Sequence, residues 1–151
     1  MSAIASFIQP PKSLLDELRL AATQPTYHEF LTQHGKEVAD YPWSGYVLAT
    51  LLICLKEQHR IDLMNSEFNE LSTFLAKSRR TTHFIFTHAH KQEFLAKLDG
   101  EFSEQSLCDY YNQFNGSAEK EAGKPMLDGV PAFRESLSAL DKDSVVVFRI
   151  G

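Results

Sequence analysis

The run Val145–Ile150, VVVFRI, narrows most what this chain can become. Three successive β-branched residues lose little side-chain freedom in an extended backbone but crowd the preceding turn of a helix, so the run reads as a strand. Such a strand cannot stand alone, because its backbone N–H and C=O groups need partners. The best candidate neighbour is TTHFIFTH at residues 81–88, rich in threonine and aromatics, with a strand expected over 82–87.

Elsewhere the apolar spacing is mostly helical. Over residues 12–22, Leu14, Leu15 and Leu18 share a face. Thr26-x-x-Glu29 has the pattern of a capping box ahead of Tyr27, Phe30 and Leu31, and Gly35 stops that short helix. Pro42-Trp43-Ser44-Gly45 breaks the chain before a helix over about 45–58 that is apolar nearly all round and therefore central. Residues 60–64, RIDLM, suit either its continuation or a short strand. A stripe of Phe68, Leu71, Phe74 and Leu75 ends near Lys77, and a further helix over 90–98 closes at Gly100. Ser103 opens another, with Leu107, Tyr110, Tyr111 and Phe114 on one side and Asn115-Gly116 as its stop. Residues 116–130 read as a long surface loop, with Pro131 starting a last helix that carries Phe133, Leu137 and Leu140.

With 151 residues and 43% apolar content, the chain is sized for one core. The expectation is a single α+β domain over 1–151, with five to seven helices on one face of a small two- or three-stranded sheet. Its strands lie near 82–87 and 145–150, and possibly 60–64. A helical domain with only a two-stranded ribbon is the nearest competitor.

Several function classes are disfavoured. A net charge of −5 argues against a general nucleic-acid binder, which needs basic groups to neutralise phosphates. The most apolar window, Tyr46–Leu55, has ten residues, about half of a bilayer span. The opening MSAIASFIQPPK lacks the positive start and long apolar core of a signal peptide. Cys54 and Cys108 are too few for a disulfide framework and lack CxxC spacing, so reduced thiols in a cytoplasmic setting are expected. Cys54 within LLICL reads as buried and inert, and Asp109 beside Cys108 disfavours a thiolate. No GxSxG, SxxK, P-loop or GxGxxG string occurs, and no cofactor is implied.

Thr87-His88-Ala89-His90 is the most suggestive string. In a strand His88 and His90 point to one face, where two neutral imidazoles suit a metal such as zinc. The string resembles the opening of the metallo-β-lactamase motif HxHxDH and the HxH of amidohydrolases, which would imply metal-dependent hydrolysis. It departs where Gln92 and Glu93 replace the aspartate and the next histidine, and no histidine follows His90. An alternative function is therefore a small metal-dependent hydrolase or ligand-binding enzyme using His83, His88 and His90. The preferred reading is a strand-to-helix junction whose histidines cap backbone groups or lie in water.

Charge patterning supplies the leading functional expectation. Lys77, Arg79, Arg80, Lys91 and Lys97 outweigh Glu93 to make residues 77–97 net +4, while residues 98–121 sum to −5. Opposed patches steer partners more than they stabilise folds, unless the two stretches neutralise one another on folding. Arg79-Arg80 suits a phosphate or other anion, and the local patch 77–91 is a second alternative as a nucleic-acid contact. Within the acidic stretch, neighbouring Tyr110 and Tyr111 point about 100° apart on a helix, so at least one hydroxyl should reach the surface. Tyrosine offers large rigid contact area at low entropic cost. Glu101, Glu104, Asp109, Tyr110 and Tyr111 are accordingly expected to bind a protein with a basic surface. That describes a non-enzymatic binding protein, comparable in composition to small acidic inhibitors and immunity proteins.

Overall fold

A computed structural model describes residues 3–151, so residues 1 and 2 of the expected domain lie outside the described part. Four strands form one antiparallel sheet: β1 (Ala5–Gln9), β2 (Lys36–Ala39), β3 (Thr82–Phe86) and β4 (Val146–Ile150). Their order is β2-β1-β4-β3. The terminal strand does pair with 82–86, matching Thr82 to Ile150 and Phe86 to Val146. It also pairs on its other side with β1, matching Ala5 to Ile150 and Phe7 to Phe148. Two strands thus join the expected sheet. β1 is short and runs into Pro10-Pro11, and β2 is an edge strand of four residues whose exposed Lys36 and Glu37 blunt further pairing. Residues 60–64 are neither strand nor helix, although Ile61 and Leu63 are buried.

Seven helices complete the fold: α1 (Leu15–Ala21), α2 (Tyr27–His34), α3 (Gly45–His59), α4 (Asn69–Arg79), α5 (His88–Leu98), α6 (Glu104–Asn115) and α7 (Gly123–Ser138). They cover both faces of the sheet, where one covered face was expected. On one face Phe7, Phe86, Val146 and Phe148 pack with α3, α5 and α7, and Phe133 meets all three phenyl rings at 5.6–5.9 Å. On the other, Ile8, Ile85, Val145 and Val147 pack with α1, α2 and α4. Strand alternation produces this division, since neighbouring residues of β4 point to opposite sides. Each such buried chain contributes roughly 1.5–3 kcal/mol relative to exposure.

Helix ends follow local chemistry in several places. Tyr46 N–H donates to Ser44 Oγ at the start of α3, and Ser106 N–H donates to Ser103 Oγ at the start of α6. Gly116 closes α6 with φ 62°, the left-handed conformation that glycine adopts freely. Thr26 precedes α2 as expected but makes no side-chain cap. The long loop is corrected to 116–122: residues 123–130 belong to α7, and Pro131 sits inside that helix, not at its start. No helix of the described residues is long and apolar enough to cross a membrane.

Candidate functional site

α3 and α6 run side by side and build the face that carries the acidic, tyrosine-bearing segment. The His59 and Phe102 rings meet at 4.8 Å near one end, and Asn115 Nδ2 donates to Thr50 Oγ1 near the other. Leu107 and Cys108 bury the inner side of α6, leaving Gln105, Asp109 and Gln113 exposed. Tyr110 is half-buried at the edge, and its hydroxyl donates to Glu57 Oε2 of α3 at 2.8 Å. Burial, and secondarily the Glu57 carboxylate, raise its pKa above the ordinary phenol value. Phe114 stacks on the Tyr110 ring at 6.0 Å and is 50% exposed. Tyr46, one helical turn before Thr50 on α3, is 54% exposed. A groove of about 410 Å³ between the helices is lined by Cys54, Gln58, His59, Asp109, Tyr110 and Gln113.

The sequence-predicted set is thereby divided. Asp109 and Tyr110 share this groove. Glu104 lies on the other flank of α6, in a second groove of about 590 Å³ with Trp43, Lys120 and Lys124. Tyr111 packs half-buried against the core, and Glu101 is exposed ahead of the Ser103 cap. Among the described residues the ion pairs are Lys12–Glu67, Arg19–Glu70, Lys124–Asp128 and Arg134–Asp99. Glu101, Glu104 and Asp109 enter none of them, and no pair joins the basic stretch to the acidic one. Glu57, Tyr46 and Phe114 were not among the binding residues expected from the sequence; Glu57 is brought to the face only by tertiary packing. Cys54 is a buried free thiol, its pKa pushed up to about 11 by burial and then by Glu57.

The histidines do not converge. Thr87, not His88, ends the extended segment, so His88 and His90 lie in the first turn of α5. Two residues apart on a helix, they point about 200° from one another and cannot share a metal as strand neighbours would. His90 is buried as part of a capping box: Thr87 N–H donates to its Nδ1 at 3.0 Å, and its own N–H donates to Thr87 Oγ1 at 3.4 Å. Its Nε2 meets the Asn65 carbonyl at 2.7 Å, so that nitrogen carries the proton. Both ring nitrogens are occupied. Burial lowers the His90 pKa, against the opposing pull of that carbonyl. Among the described residues no group of three or more His, Cys, Asp or Glu is placed to hold a metal.

His83 belongs to a different cluster, on the opposite sheet face from α6. Its Nε2 lies 3.0 Å from the Tyr27 hydroxyl, and its Nδ1 faces Thr81 Oγ1 at 3.1 Å and the Thr81 carbonyl at 3.4 Å. A carbonyl only accepts, so Nδ1 carries the proton and Nε2 accepts from Tyr27. Burial lowers the His83 pKa to about 4; the Thr81 carbonyl opposes this, while Arg149 and Arg79 reinforce it. Tyr27 is pushed up to about 12 by burial, with the same two arginines pulling the other way. Their guanidinium carbons sit 5.9 Å (Arg149) and 5.0 Å (Arg79) from the Tyr27 ring centre.

The basic stretch is also divided. Arg79 turns inward, donating to the Gln24 carbonyl at 3.0 Å. Arg80 adopts φ 54° as the cap of α4 and stays exposed. Lys91 reaches across to the Ser138 and Leu140 carbonyls at 3.1 and 2.9 Å. Compared with known families, curated proteins and solved structures, the chain matches none.

Proposed function

We propose that this protein is a non-enzymatic binding protein that docks a protein with a basic surface on its α3–α6 face. The observation that carries this is the Tyr110–Phe114 stack: two rings 6.0 Å apart, one half-exposed, the other tied through its hydroxyl to Glu57. Aromatic anchors of this kind, positioned by neighbouring structure, are where interface energy concentrates. Tyr46 is a further exposed aromatic on α3, and exposed apolar patches mark interaction sites. Asp109 and Glu57 on this face, with Glu101 and Glu104 nearby on the molecule, supply negative potential for a cationic partner. The two free thiols favour a reducing, cytoplasmic setting.

The test is affinity capture from native lysate at low salt, comparing the wild-type chain with Tyr110→Ala/Phe114→Ala. One basic protein should be retained by the wild type, released as salt shortens the Debye length below about 8 Å, and lost from the double variant. Equal recovery by both chains, or recovery indifferent to salt, would contradict this function.

A further inference from the structure

The Tyr27–His83 cluster opens into a cleft that the docking face does not use, about 360 Å³ in volume. We propose that this cleft binds the phosphoryl group of a small phosphomonoester between Arg79 and Arg149. Arg149 lies half-buried on β4, a strand with neighbours on both sides. Buried cationic side chains are ordinarily paired with carboxylates, yet neither Arg149 nor Arg79 has an ion-pair partner among the described residues. Both guanidiniums approach the Tyr27 ring from the cleft walls, so two like charges face one space and repel until an anion enters.

The donor inventory agrees. Arg149 directs Nε to Ser6 Oγ at 2.9 Å and Nη2 to His28 Nδ1 at 2.6 Å. Arg79 directs Nη1 to the Ala22 and Gln24 carbonyls at 3.5 and 3.0 Å. Among the described residues Arg149 Nη1 and Arg79 Nε and Nη2 have no hydrogen-bond partner, although each guanidinium offers five N–H donors. Ser6 Oγ accepts from Arg149, and Thr81 Oγ1 from His83, which leaves both hydroxyl protons to donate. A phosphomonoester near neutral pH carries about −1.5 to −2 charge and three strong acceptor oxygens, matching two guanidiniums and two hydroxyls. A monocarboxylate supplies half that charge. The volume is at the small end of the roughly 300–1,000 Å³ of small-molecule sites, which suits a compact ligand body.

Calorimetric titration of the full chain at neutral pH and low chloride tests this with inorganic phosphate, glycerol phosphate, sulfate and acetate. Both phosphates should saturate a single site, as should sulfate, which carries a similar charge and acceptor set, with acetate at least tenfold weaker. Arg79→Gln should weaken phosphate at least tenfold, and Arg80→Gln, next in sequence but exposed, less than twofold. Arg149→Gln should abolish binding if its circular dichroism spectrum remains native; if it unfolds, the Arg79→Gln comparison decides. No saturation by either phosphate in the millimolar range would overturn the proposal. So would equal losses in Arg79→Gln and Arg80→Gln, or acetate binding as tightly as phosphate.

Discussion

His83 is 2% exposed and hydrogen-bonded at both ring nitrogens, so the fold holds it neutral. Its pKa is about 4 in the fold against an ordinary 6.5. Between those values the unfolded chain binds a proton that the fold excludes, so stability rises with pH across the window. The contribution is complete above about pH 6.5 and is lost as pH falls towards 4, amounting to on the order of 3 kcal/mol. His59 and His90 are lowered in the same direction, so the diagnostic comparison is urea unfolding of His83→Gln and wild type between pH 4.5 and 7. The wild type should show the steeper loss on acidification; parallel curves would contradict the assignment. A second contrast separates His90 from His88. His90→Ala removes a capping box and leaves the Asn65 carbonyl short of a donor, costing about 1–3 kcal/mol in denaturant unfolding. His88→Ala should stay within about 0.5 kcal/mol, whereas a shared metal would make both histidines matter alike.

At the scale of elements, α7 shows what local composition conceals. Gly123, Pro125 and Gly129 look like loop residues, yet the helix runs through them because Met126, Val130, Phe133 and Leu137 bury one continuous stripe. That spacing was present in the sequence and could have extended the helix back from Pro131. The need for Gly129 was not legible, since it arises from α3: a Cβ there would lie 2.4 Å from Leu51 Cδ2 and 2.6 Å from Leu48 Cδ2. Gly129→Ala gains about 1 kcal/mol in helix propensity but overpacks a buried contact at a cost of roughly 1–3 kcal/mol. Thermal unfolding should therefore show a net loss, and a rise in Tm would refute the close approach. Conversely, Ser103 and Gly116 could be read directly, because a cap and a left-handed stop are written in single residues. β2 could not, since KEVA has too few apolar residues to show a period and becomes a strand only by pairing with β1.

For the whole molecule, the two-faced sheet explains why Val145–Phe148 reads as an unbroken apolar run. Val146, Phe148 and Ile150 serve one core, and Val145 and Val147 serve the other. A strand exposed on one side would alternate with polar residues, so VVVF already implied helices on both faces. The docking face was only partly legible: the acidic charge and paired tyrosines pointed to α6, but Glu57 joins it through packing that no local pattern encodes. The most direct measurement places a photo-crosslinking phenylalanine analogue at position 114, and separately at Leu20, which is 68% exposed and lies on α1 over the opposite sheet face. A docking role for the α3–α6 face predicts one basic protein crosslinked from position 114 and none from position 20. Equal crosslinking from both positions, or none from position 114 in a native lysate, would contradict it.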